Sequence, residues 1–417
     1  MTFIESTSEQ QKNLCQVCKG FRQLCGKGLC PILVQAKSFA SIKKVFSKKD
    51  FFGASPPGVF VGEFGYPKVS LGPLVPPLTD KDTAIFDAED QWIFKTIDEI
   101  IGYRTSLLRG KRQFNVRSAR APKEVLEITQ ELVMASEPVD TELSFIKRPR
   151  LDIIFSSRAA PSGPSGEIKQ AILAENPKVP RQVDKVVSDT DLKAIPGTIK
   201  LYDAGIPQRQ ITRLFSVGLF GIEKQRRLVP TTWSITAVDD ILSKKLWKEV
   251  LTKNWINTVQ LFGYKALGNN VQLLLYPSGW LFEVLEYWLL TMKGKPDSDW
   301  ENWKGRKTYA KTIAGAYYAT RLPVLEYLAR INRQAGALVF LEVDKSWIPL
   351  GVWRFREIAR EAFQQEPKEF ETVEEALEEL KKRLVLPLDK WLEASTTIDI
   401  IQNQTTLEDF FPKELHG

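Results

Sequence analysis

Four cysteines near the start of the sequence carry its clearest chemical signal. Cys15, Cys18, Cys25 and Cys30 are the only cysteines among 417 residues, and they follow the spacing Cys-x2-Cys-x6-Cys-x4-Cys. Clustered thiols in a reducing compartment typically bind metal, and four thiolates complete a tetrahedral zinc site. We therefore predict a basic region over residues 1–50 that binds a structural zinc ion. An iron–sulfur cluster and free thiols are the alternatives.

Four acidic residues are the candidates for a catalytic metal site. Asp239 and Asp240 follow a helix-start signal, whereas Glu283 and Glu286 stand three positions apart in a segment that we expect to be helical. That spacing would place both glutamates on one helix face, where paired carboxylates can hold Mg²⁺ or Mn²⁺ for phosphodiester hydrolysis. The hypothesis is a divalent-metal-dependent DNA nuclease. The alternative for Glu283 and Glu286 is that they lie on a core helix and pair with arginines.

Histidine chemistry has no place in the body of this chain. The single histidine, His416, is the next-to-last residue. Catalysis by Ser-His-Asp, Cys-His or histidine-bound metal therefore lacks an internal histidine. Acid-base or metal chemistry would have to use Asp, Glu, Lys, Tyr or backbone groups.

Positive charge is concentrated in two stretches that contain no carboxylate. The chain carries 58 Lys and Arg against 51 Asp and Glu, and the first stretch lies between Glu9 and Asp50 and the second between Glu99 and Glu124. Local basic surfaces of this kind are typical of polyanion binding, and the arginine fork suits phosphate. A solvated basic face is the alternative. The residues predicted to contact nucleic acid are Arg22, Lys43, Lys44, Arg104, Arg109, Arg112, Arg226 and Arg227.

A short aromatic motif lies near the end of the sequence. On a 3₁₀ turn, Gln404, Leu407 and Phe410 would share one side, with Phe411 beside them. Exposed aromatics favour a receiving partner, although docking on the protein's own surface is the alternative. The spacing resembles the motif Gln-x-x-(Leu/Ile/Met)-x-x-aromatic-aromatic by which replication and repair proteins bind the sliding clamp PCNA. We predict a flexible tail over residues 395–417 that binds PCNA.

The elements that position these residues indicate an α+β fold with a mixed α/β body. A chain of 417 residues is long enough for two or three domains. Besides the zinc region and the tail, we expect an N-terminal α+β core domain at 51–295, with a long surface excursion near 156–198, and a helix-rich C-terminal domain at 296–394. A helix capped by Asp87 is expected in the core domain.

Nothing in the sequence predicts insertion into a membrane. The most apolar region, residues 271–292, contains Glu283 and Glu286, which are costly in lipid. No basic, apolar leader opens the sequence. We therefore expect a cytoplasmic protein. Oligomeric state is not predicted.

Taken together, these motifs resemble the archaeal NreA family of DNA repair proteins. The resemblance is carried by the four-cysteine cluster, by Phe60-Val61-Gly62 with Gly65-Tyr66-Pro67, by the run from Pro230 to Asp239, by Pro277 with Gly279-Trp280, and by the Phe-Phe tail. It implies a role in DNA damage, recruitment to PCNA, and separate N- and C-terminal homology regions. A non-catalytic, clamp-tethered DNA-binding adaptor and an RNA- or ribosome-associated zinc protein are the alternatives to the nuclease.

Overall fold

The computed structural model describes residues 17–18, 22, 24, 26, 30–42, 45–78, 81–151 and 160–402. They divide into two compact units. Unit 1 comprises Met1–Lys245 and Lys345–Glu357, and unit 2 comprises Leu246–Asp344 and Ile358–Gly417. Each unit contains one mixed, six-stranded sheet with helices packed on it, so the α+β class predicted from the sequence is confirmed.

The sheet of unit 1 has the strand order β1-β5-β6-β4-β2, with β3 also paired to β4. Strands β4 and β6 run parallel, and the other pairs are antiparallel. The strands are β1 (Asp50–Ser55), β2 (Lys68–Leu71), β3 (Leu74–Val75), β4 (Leu108–Asn115), β5 (Val139–Phe145) and β6 (Ser165–Leu173).

The surface excursion predicted near 156–198 is wrong for residues 165–173, because they form β6, which lies between β5 and β4 inside the sheet. The Ser, Pro and Gly composition around β6 suggested a loop. One of those glycines instead serves close packing, since a β-carbon on Gly166 would lie 2.7 Å from Cδ1 of Phe145. Glycine inside a strand often marks such a close approach.

The α-helices that begin in the Met1–Lys245 part of unit 1, and whose bounds fall within the described residues, are α1 (Pro31–Ile42), α2 (Ile97–Ser106), α3 (Val125–Met134), α4 (Arg181–Ser188), α5 (Ala194–Asp203), α6 (Gln208–Ser216) and α7 (Thr231–Val250). The core against the sheet includes Phe51, Leu108, Leu143 and Ile168.

The helix that was expected to be capped by Asp87 is capped nine residues later. Its N-cap is Thr96, whose hydroxyl accepts a hydrogen bond from Glu99 N while the Glu99 carboxylate accepts one from Thr96 N. This reciprocal capping box satisfies two backbone donors. Asp87 instead ends the 3₁₀ helix Lys81–Asp87 and pairs with Arg213.

The sheet of unit 2 has the order β10-β9-β11-β8-β7-β12, in which β9 and β11 run parallel. Its strands are β7 (Val259–Ala266), β8 (Asn269–Tyr276), β9 (Leu281–Trp288), β10 (Asp297–Glu301), β11 (Gly336–Val343) and β12 (Lys368–Phe370). The domain boundary expected at 295/296 falls between β9 and β10, which pair with each other.

The segment predicted as a helix carrying Glu283 and Glu286 is wrong, because it forms β9. The strand is covered on both faces, so its sequence lacks the alternation of polar and apolar residues that marks a half-buried strand. Apolar runs of this length look alike in buried strands and buried helices.

The remaining helices are α8 (Ala314–Arg330), α9 (Trp353–Ala362), α10 (Val373–Lys381), α11 (Leu388–Leu392) and α12 (Thr396–Gln402). Helices α8 to α11 lie within residues 296–394, the segment that was expected to be rich in helices. Trp391, Phe340 and Tyr287 belong to the core of unit 2. Within the described ranges, no helix combines the length and apolar character needed to cross a membrane.

Candidate nucleic-acid interface

A basic cleft of about 680 Å³ opens on the sheet of unit 1. Its charged lining consists of five cations and one carboxylate, Glu167. The cations are Lys111, Arg112, Lys147, Arg148 and Arg150. Such an excess of cations in one concave surface attracts anions such as phosphate.

The segment after β5, residues 146–150, forms one wall of the cleft on a fixed path. Ile146 N donates to Glu167 O at 3.0 Å, and Arg150 and Ser165 exchange two backbone hydrogen bonds of 2.9 and 2.8 Å. Pro149 is buried between these bonds, whereas Lys147, Arg148 and Arg150 are exposed. The backbone contacts therefore hold three cationic side chains toward solvent without a carboxylate partner among the described residues.

The opposite wall comes from β4 and β2. Strand β4 pairs with β6 through Arg109 to Lys111, and with β2 through Leu71 opposite Arg112. Arg112 forms an ion pair of 2.5 Å with Glu124, whose side chain is 69% exposed. Exposed pairs of this kind contribute little, so a phosphate can replace Glu124 at modest cost.

Arg112 is thus the predicted phosphate contact that the structure places in the cleft. Arg104 and Arg226 have other partners, because each donates to backbone carbonyls. Arg104 binds Pro161 O and Leu350 O, each at 3.0 Å. Both arginines are half-buried, and these contacts stabilise the loops to which they donate.

The other predicted contacts are scattered. Arg22 and Arg227 are exposed. Lys43 and Lys44 lie outside the described residues. The sequence-based prediction missed Lys147, Arg148 and Arg150, although three cations within four residues were a visible signal.

Arg109 is the second residue of β4, and its guanidinium lies 4.1 Å from the centroid of the Phe60 ring. Burial, reinforced by the neighbouring Arg104, lowers the pKa of Arg109 to about 10. Its Nε is buried and has no hydrogen-bond partner among the residues that the structure describes. A partly buried cation of this kind can bind an anion strongly because water screens it poorly.

Asp87 and Glu89 lie between β3 and β4 in the chain, and the sequence did not indicate that their pKa values are raised. Burial raises the pKa of Asp87, although Arg213 opposes the shift with a contact of 2.7 Å. Burial also raises the pKa of Glu89, against the opposing charges of Arg356 and Arg213. The run of acids at 87, 89 and 90 gave no indication that arginines distant in sequence would surround it.

The two catalytic candidates on α7 make different ion pairs. Asp239 is buried and accepts from Arg356 Nη1 at 3.0 and 3.1 Å, and it also binds the Gln208 amide. Asp240 pairs with Lys244, one turn further along the helix, at 2.7 Å. Asp239 therefore has the environment of a structural ion pair.

The two candidates on β9 point to opposite faces of the strand, since three positions separate them and side chains alternate. The Glu283 carboxylate accepts four hydrogen bonds at the start of α12. The donors are Ser395 Oγ, Thr396 N, Thr397 N and Thr397 Oγ1. The same-face argument that paired Glu283 with Glu286 therefore fails.

No group of three or more His, Cys, Asp or Glu side chains suited to a metal ion is found where the structure describes the chain, and that part includes all four candidate acids. The zinc prediction lies partly outside it: Cys18 and Cys30 are described, but Cys15 and Cys25 are not. The predicted PCNA motif, Gln404, Leu407, Phe410 and Phe411, also lies outside the described residues.

Comparison with known proteins places the chain in a family. The family model for the N-terminal region of archaeal Nre matches residues 24–292, and that for the C-terminal region matches residues 301–410. "DNA repair protein NreB" of Archaeoglobus fulgidus is 36% identical over 407 residues, covering 94% of this chain and 99% of the relative.

Two further relatives are named "DNA repair protein NreA". That of Archaeoglobus fulgidus is 36% identical over 403 residues, covering 95% of this chain and 98% of the relative. That of Haloferax volcanii is 36% identical over 373 residues, covering 86% and 88%. The separate N- and C-terminal homology regions implied by the resemblance are confirmed, and the chain belongs to the archaeal Nre family.

Proposed function

We propose that this protein is a DNA repair factor that binds DNA through the basic cleft of unit 1. The relatives' names support the repair role. The observation that carries DNA binding is the exposed row of Lys147, Arg148 and Arg150, whose backbone is fixed to β6 and with which no described carboxylate forms an ion pair. Cations arranged in this way bind a phosphate backbone without reading its sequence.

Recruitment to the sliding clamp PCNA is the second part of the proposal. Glu283 fixes the start of α12, and the last residue of that helix, Gln402, precedes Gln404 of the motif by two positions. A motif joined to a fixed helix by a short connection would raise the local concentration of the DNA-binding cleft at the clamp. Replacing Phe410 and Phe411 by alanine should abolish PCNA binding and leave DNA binding intact.

A structural zinc ion on the four cysteines is the third part. Four thiolates satisfy the coordination of zinc without help from another residue. Elemental analysis of the purified protein should find one zinc per chain, and an iron–sulfur absorption band would contradict the proposal.

The non-catalytic adaptor is favoured over the nuclease. Asp239 and Glu283 supported the nuclease hypothesis, and both are buried in hydrogen-bond networks that stabilise the fold. DNA binding and clamp binding together suffice for an adaptor. An assay for DNA cleavage with added Mg²⁺ or Mn²⁺ remains the direct test of the nuclease.

The DNA-binding proposal is tested with two triple variants of equal charge change. One replaces Lys147, Arg148 and Arg150 by glutamine. The control replaces Lys293, Lys295 and Lys307 by glutamine, because these lysines are exposed in unit 2.

The affinity of both variants for a labelled oligonucleotide is measured by fluorescence anisotropy at several salt concentrations. The cleft variant should bind about ten-fold or more weakly, and the slope of log affinity against log salt concentration should become less steep by roughly 0.7 to 0.9 for each lost phosphate contact. The control should bind nearly as well as wild type. Equal affinity of the two variants would overturn the proposal.

A further inference from the structure

Three exposed aromatic side chains lie beside the basic cleft without a role in the core. Phe64 is 96% exposed, Trp233 is 46% exposed and Tyr66 is 45% exposed. The rings of Tyr66 and Trp233 lie 5.1 Å apart between centroids and are tilted by 45°. Exposing a phenylalanine ring to water as fully as that of Phe64 is unfavourable, and a partner that covers the ring would remove this cost.

The loop that presents these rings is held in place. Val61 N donates to Thr231 Oγ1 at 2.8 Å, and Thr231 N donates to Val61 O at 3.0 Å. Thr232 Oγ1 donates to the Glu63 carboxylate at 3.0 Å, which joins the loop to the start of α7. A surface fixed in this way loses little conformational entropy when a ligand binds.

The aromatic surface is continuous with the cleft. Gly62 N donates to Ser70 O at 3.0 Å, and Ser70 lines the cleft. Ser70 also pairs in register with Gln113 of β4, a second residue of the cleft lining. Lys68, between the aromatic loop and the cleft, is exposed. Rings and cations thus occupy adjoining parts of one surface.

We propose that Phe64, Tyr66 and Trp233 form a platform on which unpaired bases stack while the cleft holds their phosphates. The DNA bound by this protein is therefore single-stranded or locally unpaired. The inference rests on the proposed function, since it assumes that DNA occupies the cleft.

The chemistry of the surface selects unpaired DNA over an intact duplex. Base faces in a duplex are covered by neighbouring base pairs, so a duplex offers phosphates and groove edges. Aromatic side chains next to cations match the two parts of an unpaired nucleotide, the base face and the phosphate, and bind them without sequence preference. A protein partner for the aromatic surface would lack the phosphates that the adjoining cations favour.

The test compares single-stranded and duplex DNA of the same length, with 2-aminopurine in the single strand to report stacking. Phe64→Ala combined with Trp233→Ala should weaken single-strand binding about ten-fold or more, remove the quenching of 2-aminopurine, and change duplex binding little. Phe64→Trp with native Trp233 should keep both affinity and quenching. Phe94→Ala is the matched control, since Phe94 is 65% exposed.

The outcomes separate the inference from the proposed function. If the cleft variant loses affinity for both DNAs and the aromatic variant binds single strands as wild type does, the platform is wrong and DNA binding in the cleft stands. If the cleft variant binds as wild type does, the proposed function fails and the platform fails with it. Because these rings are exposed, we expect each variant to fold. Thermal melting of each variant checks this.

Discussion

Arg356 Nη1 donates to both carboxylate oxygens of Asp239, at 3.0 and 3.1 Å, and both side chains are buried in unit 1. The residues are 117 positions apart. Arg356 also contacts the Glu357 carboxylate at 3.0 Å. The pair joins α7 to the first turn of α9, so the charge of Asp239 is balanced within the fold.

Asp239→Asn should therefore lower stability. Removing one partner of a buried ion pair leaves the other charge without compensation, which costs about 3 kcal/mol. Urea unfolding at pH 7 measures the loss. Asp240→Asn is the control, because Asp240 forms a partly exposed pair with Lys244 and should change stability by less than about 0.5 kcal/mol. Wild-type stability of Asp239→Asn, together with loss of Mn²⁺-dependent DNA cleavage, would instead support the nuclease.

Glu283→Gln should loosen the start of α12. The carboxylate accepts hydrogen bonds from two backbone N–H groups and two hydroxyls, and the glutamine amide cannot accept all four. We expect a loss of about 2 kcal/mol and faster hydrogen exchange over residues 396–402. Glu393→Gln is the control, since Glu393 is exposed and pairs with Lys390. Unchanged exchange in α12 would show that Glu283 does not hold the helix.

Arg109→Met should show whether Arg109 contributes to DNA affinity without contributing to the stability of the fold. Methionine keeps the apolar contact with Phe60 and removes a guanidinium whose pKa burial and Arg104 lower to about 10. Replacing a buried charge by an apolar side chain is often neutral or stabilising, so we expect the free energy of unfolding to stay equal or rise by about 1 kcal/mol. DNA affinity should fall if Arg109 contacts phosphate.

Arg109→Lys keeps the charge and is the control for that loss of affinity. Its affinity for DNA should lie between wild type and Arg109→Met. A clear loss of stability in Arg109→Met would mean that the guanidinium stabilises the fold through Phe60.

Local signals in the sequence predicted the elements whose ends are chemically marked. The helix that carries Asp239 and Asp240 was predicted from the helix-start signal that precedes them. The sequence wrongly predicted that Glu283 and Glu286 share one face of a helix. Because β9 is buried on both faces, its sequence lacks the alternation of polar and apolar residues that would indicate a strand.

The candidate site could be predicted only in part. Arg112 was recognised from its carboxylate-free stretch, but the cleft also needs residues 146–150 and β6. Their proximity depends on the pairing of β5, β6 and β4, which joins segments distant in sequence. Strand pairing between segments distant in sequence leaves no local sequence pattern. The cations at 147, 148 and 150 are therefore visible in the sequence, but their position in the cleft could not be predicted from it.

Glu379 on α10 should make stability depend on pH in the acid range. It contacts Lys368 at 3.0 Å, and Lys382 and Arg383 at 3.3 Å, and hydrogen bonds from these cations lower its pKa to about 2. Because the pKa of Glu379 in the folded protein lies below the ordinary glutamate value of 4.5, the stabilisation is fully present above pH 4.5 and is lost as pH falls toward 2.

Glu379→Gln should therefore lower Tm by roughly 1–3 °C at pH 7, and this difference should shrink between pH 4.5 and pH 2.5. Glu378→Gln is the matched control, because the Glu378 side chain is 72% exposed and lies 3.9 Å from Lys381. Its Tm should follow wild type throughout. A Tm difference for Glu379→Gln that stays constant with pH would mean that packing of the side chain, rather than its charge, stabilises the contact between α10 and β12.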